Sequence, residues 1–357
     1  MRITVIGGGN IGTLMAAELA YRGNEVTVYT SNPQIWSRRI EVYDASNRLL
    51  MCGDLTKITG DLADAVAEAE MIWITVPAQM FAEFAPKICP LIRKGQYVGV
   101  VPGGGGAEFA FREVTERGGI LLGLQRVHSI ARVKERGSSV YMLGRKAELK
   151  LGAIPAAASG AAAGILERLF DIPCSPLPNY LSVTLTPSNP ILHTTRLYTM
   201  FKNYRAGMVY ERNFLFYEEW DDAASEMLIA CDGELQSLCR AIPMDLTAVE
   251  SLCDYYESRT VGAMTQKIRS IKAFRGITSP MKQVDCGWVP DFDSRYFTAD
   301  FPYGLKIIKD FAEVYGIKTP NMDKVWDWYT GCTGSADCFR LEADKSAIEE
   351  IYAAPSV

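Results

Sequence analysis

Short apolar runs alternate with helical patterns over roughly the first half of the chain. The runs predict β-strands at residues 2–6, 25–30, 71–76, 97–101, 120–125, 139–143 and 148–154. Between the first two runs, residues 13–21 form an Ala/Leu-rich helical pattern, and residues 156–171 form another. Strands that alternate with helices are typical of a parallel sheet covered by helices.

The second half of the chain is patterned differently. Residues 171–180, DIPCSPLPNY, hold three prolines and predict the crossing into another domain. Apolar residues at three- to four-residue spacing over 213–241 then predict one long buried helix. We therefore predict a doubly wound α/β Rossmann domain over 1–177 and an all-α substrate domain over 178–357, with the ligand cleft between them.

Local end signals predict three more helices in the second half. Thr247 and Glu250 have the spacing of a capping box. Prolines suit the first turn of a helix and glycines its end. The predicted helices therefore run from Pro302 to Gly316 and from Pro320 to Gly331.

Composition and charge exclude several classes of protein. The 357 residues are 48% hydrophobic, enough for two cores, and the net charge of −5 leaves no basic surplus for nucleic acid. No apolar run approaches the roughly 20 residues of a membrane span, and the N-terminus lacks a secretory pattern. Nine cysteines without metal-ligand spacing favour reduced thiols and no metal site. We expect a cytoplasmic protein with small-molecule partners, and a homodimer is one option for its assembly.

A glycine-rich loop follows the first predicted strand. Its residues, Gly7-Gly8-Gly9-Asn10-Ile11-Gly12, satisfy G-x-G-x-x-G and run into the first helix. Gly7 suits the tight turn, Gly9 the close approach of a pyrophosphate, and Gly12 close packing of helix on strand. Because strand, loop, helix and second strand occur within about 30 residues, the sequence predicts a dinucleotide site with the phosphates at the helix N-terminus.

The end of the second strand bears on the choice between NAD and NADP. Thr30 stands where an NAD site normally has an acid for the ribose 2′-hydroxyl. Ser31 and Asn32 can donate to a 2′-phosphate, and Arg38 and Arg39 can supply charge, although both arginines could instead be solvated helix residues. We expect NADP(H) to be preferred over NAD(H).

Two further strands end in residues that suit the cofactor side of the sheet. Val76-Pro77 and Pro102-Gly103 each follow an apolar run, and ligands bind at the carboxyl ends of parallel strands. The four glycines from 103 to 106 leave the backbone bare for a ligand, while a plain flexible turn remains the alternative.

The chain has only two histidines, and histidine is the side chain suited to donate and accept a proton near neutral pH. His193 follows a proline-rich turn in SNPILHTTRLY, with Asn189 and Arg196 beside it to bind substrate groups. His128 follows a strand of the first domain and stays open as the alternative. The pattern favours His193 modestly.

A second cluster is SRYFTADFPYGL, residues 294–305. Asp300 stands just before Pro302, where an acid could simply cap a helix. If it reaches a histidine instead, it would hold the imidazole in one tautomer.

Together these blocks resemble the opine dehydrogenases, in the order GGGNIG, VPA, PGGGGAEF, SNPILHTTRLY and SRYFTADFPYGL. The resemblance implies that His193 and Asp300 form a catalytic dyad and that Arg295 contacts substrate. The chain departs from the family pattern at Ala299, where relatives carry an acid.

The activity implied by the resemblance is a reversible reductive condensation. The amino group of an amino acid and the keto carbon of a 2-oxo acid such as pyruvate form an imine, which NAD(P)H reduces. The alternatives are a related two-domain reductase of a 2-oxo acid or sugar phosphate, and a dinucleotide-binding protein with little turnover.

Overall fold

A computed structural model of the chain describes residues 1–334 and 338–352. The chain divides into two compact units, residues 1–184 with residues 349–352, and the described residues of Leu185–Ile348. Residues 178–184 therefore group with the first unit, and not with the second as predicted. Part of the predicted second domain, residues 335–337 and 353–357, lies outside the described residues.

Hydrogen bonds explain why the chain stays with the first unit up to Thr184. The Tyr180 hydroxyl donates to the Gly103 carbonyl oxygen at 2.9 Å. The hydroxyls of Thr184 and Tyr352 both donate to Oε1 of Glu108, which is 2% exposed. Because little water reaches this carboxyl, burial raises the pKa of Glu108.

The first unit contains β-strands with these bounds: β1 Arg2–Ile6, β2 Glu25–Tyr29, β3 Arg39–Tyr43, β4 Leu49–Asp54, β5 Lys57–Thr59, β6 Met71–Ile74, β7 Tyr97–Val100, β8 Ile120–Leu124, β9 Ser129–Glu135, β10 Ser139–Arg145, β11 Leu149–Ile154 and β12 Cys174–Pro176. Its α-helices are α1 Asn10–Tyr21, α2 Leu62–Val66, α3 Phe81–Ile88, α4 Ala107–Ala110, α5 Arg112–Glu116, α6 Ser159–Phe170 and α7 Leu181–Thr184.

An eight-stranded sheet forms the centre of this unit, in the order β12-β11-β8-β7-β6-β1-β2-β5. From β5 to β8 the neighbours are parallel, and β11 joins β8 antiparallel. The six strands β5-β2-β1-β6-β7-β8 have the 3-2-1-4-5-6 order of the Rossmann fold, whose crevice opens between β1 and β6. The predicted fold class is confirmed.

A second sheet, in the order β4-β3-β10-β9, was not predicted as a layer. Helix α1 packs against β4, β9 and β10 as well as against β1 and β2. Gly53 of β4 permits this, because a side chain there would overlap the Ala17 backbone. The eight consecutive residues of α1 from 12 to 19 are therefore buried.

The second unit is mainly helical, as predicted, with helices of these bounds: α8 Thr194–Phe201, α9 Asp222–Ala241, α10 Leu252–Tyr255, α11 Val261–Ser270, α12 Arg295–Thr298, α13 Lys306–Tyr315, α14 Pro320–Thr333 and α15 Lys345–Tyr352, whose last residues group with the first unit. It also contains an unpredicted antiparallel hairpin of β13 Met281–Val284 and β14 Gly287–Pro290. All helices across residues 1–334 and 338–352 fall short of the length and apolarity that crossing a membrane requires.

Three predicted helix boundaries in this unit are wrong. Helix α9 begins only after Asp221, whose carboxylate caps it, so residues 213–220 of the predicted long helix form a separate segment. Ser251, not Thr247, caps α10, because the Thr247 hydroxyl donates to Asp245 instead. Helix α14 continues past Gly331 to Thr333. The predicted end at Gly316 is confirmed.

The buried Asp232 of α9 makes stability depend on pH. It is 2% exposed, and burial raises its pKa from 3.8 to about 6, although the Leu252 N–H donates to it at 2.9 Å. Because the folded pKa lies above the unfolded one, this carboxyl costs stability as pH rises from about 4 through about 6. Asp232→Asn keeps an oxygen for Leu252 and should raise the free energy of unfolding by about 2–3 kcal/mol at pH 7 relative to pH 4. Denaturant titrations at both pH values measure this, and an equal effect at both would contradict it.

Candidate active site

The glycine loop has the geometry that a bound pyrophosphate requires. Gly7 adopts a positive φ of 115°, and a side chain on Gly12 would overlap the Gly7 carbonyl, so turn and helix are in contact. A side chain on Gly9, in contrast, would meet nothing within 4 Å. The open space at Gly9, at the N-terminus of the 12-residue α1, therefore fits the phosphates of a dinucleotide.

The other loop residues fix the helix in place. The Val133 N–H donates to Asn10 Oδ1 at 2.8 Å, which ties the first residue of α1 to β9. Ile11 is half-buried and packs against the core. The Asn10 side chain therefore serves the fold, while its backbone begins α1.

The predicted strand ends share one edge of the sheet. Ile6 pairs with Ile74, and Ile74 with Val100, so the loops that follow them are neighbours. The Thr75 hydroxyl donates to the Ile6 and Gly7 carbonyls at 3.0 and 3.2 Å, which links the loop carrying Val76 and Pro77 to the glycine loop. Pro102 is exposed, whereas Gly103 is buried against Gly123.

The segment after β2 places polar groups beside the loop. Thr30 is 8% exposed, and Ser31 and Asn32 are exposed. A side chain on Gly8 would lie 2.5 Å from the Trp36 ring, so the segment that leads to Arg38 lies next to the glycine loop. Neither arginine is a helix residue: Arg38 is exposed in a loop, and Arg39 is exposed at the start of β3.

Two π-helical turns carry the candidate dyad in the second unit. Ser188–His193 runs into α8, and Phe301–Leu305 runs into α13. π-Turns are rare and are often found at functional sites. The two turns are in contact, because a side chain on Gly304 would lie only 3.1 Å from Pro190.

Local hydrogen bonds stabilise both turns. Thr194 and Thr195 donate their hydroxyls to the carbonyls of Pro190 and Ile191, at 2.6 and 2.7 Å. The Leu305 N–H donates to the Asp300 carbonyl at 2.9 Å. His193 thus ends the first turn and Asp300 precedes the second, rather than acting as a side-chain cap.

The two side chains meet directly. His193 Nδ1 lies 2.8 Å from Asp300 Oδ2, and the side chains are 12% and 15% exposed. A carboxylate can only accept, so Nδ1 carries the proton and Nε2 of the neutral ring is an acceptor. The pair forms the orienting half of a general acid–base system.

Tyr217 is a site residue that sequence reasoning missed. Its hydroxyl lies 2.9 Å from His193 Nε2. The rings of Tyr296 and Phe216 also pack on the imidazole, with centroid distances of 4.7 and 5.6 Å. The signal for it in the sequence is the aromatic run FLFYEEW, whose apolar spacing predicts part of a buried helix instead.

The three predicted substrate-binding residues have different surroundings. Arg295 is exposed, and within residues 1–334 and 338–352 its guanidinium has no ion pair or hydrogen bond. Asn189 is exposed in the first π-turn. Arg196 is 3% exposed and donates to the carbonyls of Phe216 and Glu219 at 3.0 and 2.7 Å, and burial lowers its pKa to about 10.

The alternative histidine, His128, is enclosed in the first unit. It is fully buried, with Nε2 3.5 Å from Glu18 Oε2 and its ring 5.0 Å from Phe170. Burial raises the pKa of Glu18, but His128 and Arg145 outweigh it, so the net shift is downward. A ring without exposed surface has no access to substrate, which leaves His193.

Known proteins match both units. The chain matches the family model for the NAD-dependent glycerol-3-phosphate dehydrogenase N-terminus over residues 2–104, and that for the NAD/NADP octopine/nopaline dehydrogenase alpha-helical domain over residues 176–333. It is 26% identical to octopine dehydrogenase of Mizuhopecten yessoensis, over 92% of this chain and 89% of the relative. It is also 26% identical to tauropine dehydrogenase of Arabella iricolor, over 91% and 90%.

A solved structure of octopine dehydrogenase with NADH and L-arginine aligns with a TM-score of 0.82 and 25% identity, over 94% of this chain and 90% of that one. Fold, loop and dyad together define an NAD(P)-dependent dehydrogenase with a Rossmann domain and a helical substrate domain. The helical unit matches the octopine/nopaline dehydrogenase model, and the predicted resemblance to the opine dehydrogenases is confirmed.

Two glycines of the loop offer a matched test of the cofactor site. Gly9 has extended backbone (φ −82°, ψ −168°) and open space, so Gly9→Ala should leave the free energy of unfolding unchanged and weaken dinucleotide binding at least about tenfold, or 1.4 kcal/mol. Gly12→Ala overlaps Gly7 and should cost about 1–3 kcal/mol of stability. Thermal unfolding and cofactor titration by fluorescence measure both effects. Unweakened binding by the Gly9 variant would contradict the assignment.

Proposed function

We propose that this protein catalyses reductive condensation of an amino acid with a 2-oxo acid such as pyruvate, using NAD(P)H. The observation that carries the proposal is the 2.8 Å hydrogen bond between His193 and Asp300, in a unit that matches the octopine/nopaline dehydrogenase helical domain. A relative of 25% identity has been solved with NADH and L-arginine. Condensation needs a group that both takes and returns a proton, which the dyad supplies.

His193 takes up one proton during the reaction and later returns it. Nε2 takes a proton from the substrate ammonium, and the free amine adds to the keto carbon to form a carbinolamine. The imidazolium returns the proton to the carbinolamine hydroxyl, which leaves as water, and an iminium remains. Asp300 stabilises the imidazolium between these steps. The nicotinamide, when bound, supplies the hydride that reduces the iminium carbon.

The substrate carboxylate is assigned to Arg295. Its guanidinium is exposed and has no competing acid among the described residues, so it is available for a bidentate pair. Arg196 donates to two backbone carbonyls and is nearly enclosed, which supports a structural role for it. Asn189, exposed four residues before His193, is assigned a hydrogen bond to substrate.

A two-substrate assay tests the reaction. Amino acids paired with pyruvate, glyoxylate or 2-oxoglutarate should oxidise NAD(P)H, and the secondary amine should be detected by mass spectrometry. His193→Ala removes the proton carrier and Asp300→Asn removes the charge that orients it, so each should lower kcat by about 10²–10⁴-fold with cofactor binding retained.

Other outcomes of this assay would replace the proposal. Oxidation that needs only the 2-oxo acid indicates a simple reductase. Cofactor binding without turnover indicates a dinucleotide-binding protein. Full activity in both variants would refute the dyad.

We further propose that NADP(H) is preferred over NAD(H). Thr30 stands in place of the usual acid, Ser31 and Asn32 follow it with exposed donors, and Arg38 is exposed in the same segment of chain. Arg38 has no ion pair within the described ranges, whereas Arg39 lies 3.9 Å from Asp54.

The two arginines provide the test of cofactor choice. Arg38→Ala should lower kcat/KM for NADPH about tenfold, since a charge-assisted hydrogen bond contributes about 1.5–3 kcal/mol, and should leave NADH unaffected. Arg39→Ala is the control and should change neither. Steady-state kinetics with both cofactors give these values. A wild-type preference for NADH would contradict the proposal.

A further inference from the structure

The hydroxyl of Tyr217 covers the nitrogen of His193 that must exchange protons. Asp300 occupies Nδ1 at 2.8 Å, which leaves Nε2 as the catalytic atom, and Tyr217 lies 2.9 Å from Nε2. In the neutral ring Nε2 can only accept, so the Tyr217 O–H donates to it. A substrate proton can therefore reach Nε2 only through this oxygen or after its displacement.

Aromatic packing opposes displacement of Tyr217. Tyr217 is only 5% exposed. Its ring stacks on Phe274 with a centroid distance of 4.0 Å and an interplanar angle of 16°, and it forms a T-shaped pair with Phe216 at a centroid distance of 4.8 Å. Moving the Tyr217 ring away would break these two aromatic contacts, and such pairs contribute about 0.5–1.5 kcal/mol each beyond area burial.

Arg196, which lies on the same segment as His193, holds the backbone around Tyr217. Arg196, three residues after His193, donates to the carbonyls of Phe216 and Glu219, which flank Tyr217. Its Nη1 also lies 3.6 Å from Asp221. Histidine and tyrosine are thus held on one framework, because a single side chain of α8 ties the two segments together.

We propose that Tyr217 is a catalytic residue that relays the proton between substrate and His193. In one direction the substrate ammonium gives a proton to the Tyr217 oxygen as the Tyr217 O–H proton passes to Nε2. In the other direction the imidazolium returns its proton to Tyr217, whose own proton goes to the carbinolamine hydroxyl that leaves as water. Two protons move in each step, tyrosine is unchanged at the end, and no redox partner is needed.

Tyr217→Phe removes the hydroxyl and keeps the aromatic stack. The relay predicts that the single-turnover rate of cofactor oxidation with both substrates falls about 10²-fold, while substrate KM, cofactor Kd and thermal unfolding are unchanged. In mixtures of H₂O and D₂O the dependence of rate on deuterium fraction should change from curved, for two protons, to linear, for one. A merely structural role would not alter this dependence.

Tyr204→Phe is the matched control. It also removes one hydroxyl from a tyrosine of the second unit, which stacks on Tyr210 at 6.3 Å and does not contact the dyad. This variant should keep the wild-type rate and the curved isotope dependence.

The proposal rests on the proposed function, and the outcomes separate the two. An active wild type with an equally active Tyr217→Phe variant overturns the relay alone. A variant with lower KM and unchanged kcat also overturns it, because Tyr217 would then merely occupy the place of the substrate. A wild type without amino-acid-dependent turnover overturns the proposed function and the relay with it.

Discussion

The contact between two π-helical turns determines whether the second unit has a site at all. His193 and Asp300 are 107 residues apart, and neither has a charged partner within its own turn. They meet because Gly304 lets the second turn lie against Pro190 of the first. The π-geometry leaves carbonyls out of register, and the hydroxyls of Thr194 and Thr195 bond to two of them. Several residues of SNPILHTTRLY and FPYGL thus serve to bring His193 and Asp300 within hydrogen-bond distance.

The parts of the fold that were predictable are those encoded by local periodicity. The loop from Gly7 to Gly12 and the strands on either side of it follow from sequence spacing, and the strand order then places Val76 and Pro102 at the same edge. The sheet containing β3, β4 and β9 was missed because its strands have few fully buried positions and carry polar residues between them. The burial of α1 on nearly every side was missed for the same reason.

Site residues that belong to a sequence motif could be predicted. Site residues whose position depends on tertiary packing could not. His193 and Asp300 were found through motifs, and their pairing is an interaction across the helical unit that no spacing encodes. Tyr217 was hidden because its segment, 213–220, shares helical apolar spacing with α9, and the real helix start depends on Asp221 as cap. Arg196 was predicted as a ligand for substrate, since sequence cannot distinguish a guanidinium that faces solvent from one that faces backbone carbonyls.

The enclosure of α1 between two sheets has a consequence for affinity. Residues 12–19 are buried, Asn10 is bonded to β9, and Thr75 is bonded to the loop, so the N–H groups at the helix N-terminus already hold their positions before any phosphate arrives. Binding of the dinucleotide then costs little backbone entropy, because the anion site is already ordered in the free protein. Such a preorganised anion site lets the contacts to the pyrophosphate contribute almost fully to affinity. All of these residues lie in the first unit, so substitutions in the second unit should leave this anion site intact.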